Sequence, residues 1–277
     1  LDVVVAPEFL RQYSMCGDPA DRSYYEIAVL VEPEGRGGSK LMNRIFEQGR
    51  KIFISKPINH FGLVESNGPT LLFGGGIGVT PMVAFAHELH KGGRDFSLKY
   101  SAKSKNTAAF DTDWAYFDWR DSVSCHYSKQ GKRMSIAKEI PAYIMGTHIY
   151  VCGPDDYMSA ILNQARTVGY PEDALHAEFF VVPDAPDRVN YAFEIEISNG
   201  SRISVSEDQS ASDALINAGI SVDVKCSDGL CGVCKCGVLE GKVDHRDYVL
   251  SKAQRADTII LCQSRANEQG GVLKLDI

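Results

Sequence analysis

Five of the eight cysteines in this 277-residue chain lie between residues 226 and 262, and four follow the spacing Cys226-x4-Cys231-x2-Cys234, with Cys262 after 27 intervening residues. This is the ligand pattern of a 2Fe-2S cluster: three thiolates from one tight loop and a fourth from a distant segment. Gly229 and Gly232 suit such a loop, because a residue without Cβ lets backbone N–H groups approach the sulfurs. A structural zinc site would ordinarily show paired C-x-x-C knuckles, and only Cys231 to Cys234 makes one. Cys236 alternates with Cys234 on an outgoing strand and is not expected to be a ligand.

A second set of residues suits a nucleotide. Gly74-Gly-Gly-Ile-Gly-Val-Thr-Pro81 is expected between a strand and a helix. There Gly75, Gly76 and Gly78 permit a tight turn, and the helix N-terminus offers N–H groups to a pyrophosphate. Thr80 is the expected N-cap and Pro81 the first helical residue. The pattern is not the G-x-G-x-x-G dehydrogenase fingerprint. Tyr150-Val-Cys-Gly-Pro154 ends a later strand at the same carboxyl edge of the sheet.

The elements that must position these residues fall into three stretches. Residues 1–64 hold short β-rich runs (Val3 to Ala6, Tyr24 to Val31, Lys51 to Ser55) and a helix expected from Lys40 through Glu47. This is a small antiparallel β unit with too few strands to close a barrel. Residues 65–181 alternate strand-like runs (Thr70 to Phe73, Phe96 to Ala102, Val123 to Tyr127, His148 to Val151, Leu175 to Val181) with helical segments, one from Asp155 to about Thr167. That alternation implies an α/β doubly wound parallel sheet. Residues 182–191, rich in Pro and Asp, read as a linker. Residues 192–277 open on alternation from Ala192 to Ile197, turn at Asn199-Gly200, return at Ile203 to Val205 and make a helix over Ser210 to Ala218. They imply an α+β β-grasp domain.

Composition sets outer bounds. Lys+Arg 29 against Asp+Glu 36 gives a net charge of −7 and no basic face, which argues against nucleic-acid binding. No apolar run approaches a membrane span, so no membrane association is expected. Clustered thiols in a chain of this size point to a reducing, cytoplasmic compartment.

Residues 189–277 resemble a plant-type ferredoxin. Cys226-Ser-Asp-Gly-Leu-Cys-Gly-Val-Cys234 followed by Gly241-Lys-Val-Asp-His-Arg-Asp-Tyr248 is similar to the C-terminal ferredoxin of the phthalate dioxygenase reductase family. The resemblance implies a flavin domain, an NAD(P)-binding domain and a ferredoxin, in that order. Arg11-Gln12-Tyr13-Ser14-Met15 resembles the family's Arg-x-Tyr-Ser flavin motif, in which the guanidinium pairs with phosphate, the tyrosine covers the flavin and Ser14 bonds its N5 region. Gly37-Gly38-Ser39 before a helix would add N–H groups and a hydroxyl. FMN is implied over FAD. Family members have about two more strands before the arginine motif, so the flavin barrel is expected to be incomplete at its N-terminus.

In the same family the Cys-Gly-Pro turn lies beside the nicotinamide, which assigns Cys152, Gly153 and Pro154 to that ring, with Glu178 and Phe180 near the flavin. Ser14, Cys152 and Phe180 are thus the expected catalytic residues. NADH is the implied donor; Ser128-Lys129-Gln130 stands where an acid would favour ribose hydroxyls and could instead receive the 2′-phosphate of NADPH, although the reading preferred from sequence is a solvated turn. The resemblance implies a reductase passing electrons to a Rieske-type terminal oxygenase acting on aromatic or similar substrates. The exposed rim of the cluster loop offers Asp228, Asp244 and Asp247 as docking candidates, although acidic loop residues ordinarily read as solvated. Alternatives are a reductase for a cytochrome P450 or other acceptor, or a non-enzymatic iron-sulfur electron carrier.

Overall fold

The computed structural model describes residues 1–7, 9–35, 37–182 and 188–277, which divide into two units, Leu1–Ala177 and Glu178–Ile277. The core of the expected linker, Pro183 to Asp187, lies outside the described residues.

In the first unit, Asp2–Ala6 (β1) pairs antiparallel with Phe9–Gln12 (β2) and with Phe53–Ile54 (β3). Val3 and Val5 alternate inward and pack with Met42 of helix Gly38–Ile45 (α1). This helix begins two residues before the expected Lys40, because Gly37, at φ 88°, makes a left-handed N-cap. The expected strand over Tyr24 to Val31 is not formed; a single bridge, Met15 to Ile27, stands in its place. Tyr24, Tyr25, Leu30 and Val31 are exposed, while Ile27 and Val29 are half-buried against the Val3, Val5 and Met42 cluster without a strand partner beyond that bridge.

The rest of this unit is a five-stranded sheet in the order β6-β5-β4-β7-β8, built from Thr70–Gly75 (β4), Phe96–Ala102 (β5), Val123–Tyr127 (β6), His148–Cys152 (β7) and Leu175–Glu178 (β8). Its β4–β5, β4–β7 and β5–β6 ladders are parallel. Helix Val79–Lys91 (α2) covers one face and buries Met82, Val83, Phe85 and Leu89 with Leu72, Leu98, Tyr100 and Tyr150. A short helix, Ile136–Glu139 (α3), precedes β7, and Asp155–Thr167 (α4) buries Met158, Ile161 and Ala165. Two expectations shift. Helix α2 starts at Val79, after a 3-10 turn over Gly76–Gly78, so Gly78 is its N-cap; Thr80 instead donates Oγ1 to the Ile77 carbonyl at 3.1 Å, and Pro81 becomes the third helical residue, where its missing N–H still costs nothing. Strand β8 stops at Glu178, leaving Phe180 and Val181 exposed beyond it.

In the second unit, Phe193–Glu196 (β9) and Arg202–Val205 (β10) form the hairpin turned at Asn199-Gly200, with Gly200 at φ 83°. Ser210 caps helix Ala211–Asn217 (α5) by accepting the Asp213 N–H at 3.1 Å. Lys235–Glu240 (β11), Val243–Asp244 (β12), Thr258–Ile260 (β13), Arg265–Ala266 (β14) and Val272–Leu275 (β15) follow. The main sheet runs β10-β9-β15-β11-β13, with β15 parallel to β9 and its other pairings antiparallel. Ile195, Leu215, Ile259 and Leu275 are fully buried beneath it. Each contributes roughly 1.5–3 kcal/mol of transfer free energy.

Candidate functional site

Cys226, Cys231 and Cys234 sit on an irregular loop between α5 and β11, and Cys262 follows β13. Three left-handed residues, Ser227 (φ 57°), Gly229 (φ 73°) and Gly232 (φ 67°), curl the loop on itself. The curl aims main-chain N–H groups at sulfur: Asp228 N–H reaches Cys226 Sγ at 3.4 Å, Leu230 N–H joins it, Val233 N–H reaches Cys231 and Gly229 N–H reaches Cys262. A side chain at Gly229 would have its Cβ 3.1 Å from Gln263 Cγ and 3.3 Å from Asp247 Cα, so the loop lies close against its supports.

The four sulfurs are close enough to share protons. Hydrogen bonds from Cys231 and then Cys262 hold the Cys226 thiol well below its ordinary value, and those same bonds push Cys231 and Cys262 up. Cys234 is lowered to about 7, chiefly by its bond with Cys262. Four convergent thiols with main-chain N–H groups aimed at their sulfurs fit an iron-sulfur cluster and would hold it through four Fe–S bonds. Cys236 stands apart: its thiol is buried on β11, donates to the Gly237 carbonyl at 3.4 Å and is pushed up by burial.

Around the loop, two of the carboxylates expected to face a partner are otherwise engaged. Asp247 is 3% exposed; its Oδ2 accepts the Leu250 N–H at 2.8 Å and the Val249 N–H at 3.3 Å. Asp244 accepts Arg246 Nε at 2.7 Å and Arg188 Nη1 at 3.3 Å. Arg246 also donates to the Val189 carbonyl at 2.8 Å and to Asn190 Oδ1. The string around Arg246 is therefore a clamp that fastens residues 188–190 to the ferredoxin, and these two acids serve it or the adjacent turn. Only Asp228 of the three remains a rim carboxylate with no ion pair among the described residues.

At the nucleotide loop, Gly75 and Gly78 are required by contact. A Cβ at Gly78 would stand 2.5 Å from the carbonyl carbon and oxygen of Cys152, and one at Gly75 would stand 2.9 Å from Tyr157 Cδ1 and 3.0 Å from Pro154 Cδ. The exits of β4 and β7 are thus apposed backbone to backbone. Tyr157 closes the contact, its hydroxyl 3.4 Å from the Gly74 carbonyl. Cys152 is fully buried, so the turn meets the groove through its main chain and through Gly153 and Pro154. Sequence reasoning did not find Tyr157; its place at the third position of α4 gave no signal.

At the flavin segment, the alternation of β2 puts Arg11 on the face shared with Phe9, and its guanidinium lies 5.0 Å over that ring. It also rests against the first turn of α1, since a Cβ at Gly38 would meet Arg11 Nε at 2.5 Å. A cation held beside free N–H groups at a glycine cradle fits a phosphate. Ser39 Oγ accepts the Glu32 N–H at 3.2 Å and so fastens the loop before the helix. Tyr13 is half-buried, and burial raises its hydroxyl above the ordinary value against the Arg11 charge. Ser14 and Met15 follow on the same segment, Met15 at the bridge to Ile27.

A β-grasp unit with four convergent thiols, preceded by a parallel sheet with a glycine-rich exit, defines an iron-sulfur electron-transfer protein. Residues 195–267 match the family described as 2Fe-2S iron-sulfur cluster binding domain. The chain is 38% identical over 280 residues to the vanillate O-demethylase oxidoreductase of a Pseudomonas species, covering 99% of this chain and 88% of the relative. It is 32% identical to the carnitine monooxygenase reductase subunit of Escherichia coli, covering 97% and 84%. Among solved structures, phthalate dioxygenase reductase superposes with a TM-score of 0.67 at 30% identity, over all of this chain and 86% of that one. An intact type IV self-sufficient cytochrome P450 monooxygenase gives 0.89 at 34%, and this chain spans 36% of its length. The chain belongs to the phthalate dioxygenase reductase family of iron-sulfur flavoprotein oxidoreductases, the reductase components of multicomponent oxygenases.

Proposed function

We propose that this chain passes electrons from NADH through FMN and its 2Fe-2S cluster to a Rieske-type terminal oxygenase acting on an aromatic or similar substrate. The observation that carries the reading is the convergence of Cys226, Cys231, Cys234 and Cys262 in a ferredoxin unit borne on the same chain as the glycine-floored sheet. A bound flavin supplies the exchange between a two-electron hydride and single electrons, which nicotinamide and cluster do not make between themselves.

Each segment has its part. Arg11 and the N–H groups at Gly37, Gly38 and Ser39 would hold the flavin phosphate, and Tyr13, Ser14 and Met15 would line the flavin. Gly75, Gly76, Gly78, Thr80 and Pro81 would leave main chain to the pyrophosphate. Cys152, Gly153 and Pro154 would set the nicotinamide, with Glu178 and Phe180 toward the flavin. The domain division follows: flavin over 1–64, nucleotide over 65–181, linker over 182–191, ferredoxin over 192–277. No general acid or nucleophile is needed, and thiol ligands of this kind suit the reducing cytoplasm.

The test is anaerobic. The purified protein should contain FMN by mass, its flavin band should bleach on adding NADH, and a one-electron signal from the reduced cluster should follow. A protein that binds iron but no flavin, or that ignores both nicotinamide coenzymes, defeats the proposal. The likeness to the P450 monooxygenase favours a second reading, a haem-iron acceptor; transfer rates to a purified Rieske oxygenase and to a P450 separate the two.

A further inference from the structure

The carboxyl ends of β5 and β6 lie side by side, with Ala102 opposite Tyr127 in the parallel ladder. Beyond them the Lys129 N–H donates to the Lys103 carbonyl at 2.9 Å, and the Lys132 N–H donates to the Tyr127 carbonyl at 3.2 Å. These bonds stitch the two exits into one rim, closed by Gly131 at φ 70°. Rim segments 103–107 and 127–133 carry Lys103, Lys105, Lys129, Lys132 and Arg133 and no carboxylate, in a chain of net charge −7. Lys103, Lys129, Lys132 and Arg133 are exposed and form no ion pair among the described residues. The carboxylate that reaches this rim, Asp111, is already engaged: the Tyr127 hydroxyl donates to it at 2.9 Å, and Lys105 Nζ lies 3.7 Å away.

When a pyrophosphate sits at the exit of a central strand, the adenosine ribose falls toward the exits of its neighbours. There a carboxylate favours the free 2′-hydroxyl, whereas a cation accommodates a 2′-phosphate. This rim has the second chemistry: several cations, the Ser128 hydroxyl and no unengaged acid. We infer that Ser128, Lys129 and Lys132, with Lys103 beside them, bind the 2′-phosphate of NADPH, so that this coenzyme serves as a donor beside NADH and gains affinity from its 2′-phosphate. The inference rests on the nucleotide reading of the Gly74–Pro81 loop. The turn is solvated, as its sequence implies, and an exposed rim is where a phosphate projecting from the ribose would arrive.

The test compares 2′,5′-ADP with 5′-AMP, which differ only in the 2′-phosphate, by titration calorimetry on the flavin-loaded, cluster-loaded protein. Charge-assisted bonds from exposed lysines are individually weak, so the expected preference for 2′,5′-ADP is about tenfold and shrinks with added salt. Lys129→Asp combined with Lys132→Ala should bring the ratio to about one or invert it. Equal affinity for the two probes in the parent protein, or a preference that survives the double variant, overturns the inference alone. Failure of both probes to bind overturns the nucleotide reading and this inference with it.

Discussion

Gln263 Nε2 donates to the Ser227 carbonyl at 2.7 Å, so the residue after the remote Cys262 is bonded to the residue after Cys226. Ser227 is left-handed at φ 57°, a conformation that an L-residue adopts at a cost, and Gln263 is one of the groups that hold it there. Gln263→Ala should lower stability by about 1 kcal/mol. It should also shorten the lifetime of the cluster under chelator severalfold, read as decay of its visible absorption, while the rate of NADH-driven flavin bleaching is unchanged.

The two alternating cysteines of the outgoing strand should part company. Cys234→Ala removes a ligand and should abolish the 2Fe-2S spectrum. Cys236→Ala removes a buried thiol whose bond goes to a carbonyl; the spectrum should persist, with a stability loss of about 1 kcal/mol. Loss of the cluster in the Cys236 variant would reassign the ligands.

Two glycines of the nucleotide loop should differ in sensitivity. Gly76 is left-handed at φ 56° with nothing near its missing side chain, so Gly76→Ala meets only backbone strain, about 1 kcal/mol. Gly78→Ala would drive a methyl to 2.5 Å from the Cys152 main chain and should cost about 3 kcal/mol. Thermal unfolding measures both, and only the second should separate β4 from β7 and raise the KM for NADH sharply.

His176 and His148 face each other at 3.0 Å, and His176 is held down to about 4 by burial first and then by His148. Above the ordinary imidazole value of about 6.5 both folded and unfolded chains are neutral at this site, so it gives no pH dependence there. Between that value and about 4 the unfolded chain binds the proton and the folded one does not. Stability therefore falls as pH drops through that window and levels below it. His176→Phe should flatten the fall, as seen in urea midpoints at pH 7, 5.5 and 4.5.

The convergence of Cys226, Cys231, Cys234 and Cys262 was legible because their spacing carries it, and the β9–β10 hairpin because Asn199-Gly200 specifies its own turn. Tyr24 to Val31 misled because alternation states which face a strand would bury but not whether a neighbouring strand exists to receive it. The cap at Thr80 was displaced by the 3-10 turn at Gly76–Gly78, which starts the helix two residues sooner. Asp244 and Asp247 read as solvated loop acids because their partners, Arg188 and a buried turn, are distant in sequence or need the fold to be seen. Gln263 carried no sequence signal at all.

The apposition of Gly75 and Gly78 with the Cys152–Pro154 turn gives the nucleotide groove a floor made of main chain. A surface with no side chains offers mutation almost nothing to vary: any substitution there is a collision, not an adjustment. Descendants of this chain could change coenzyme only along the lysine-bearing margin, where each residue is exposed and replaceable. The fold thus separates a part that must be inherited intact from a part that is free to drift, and the boundary between them runs where the strands end.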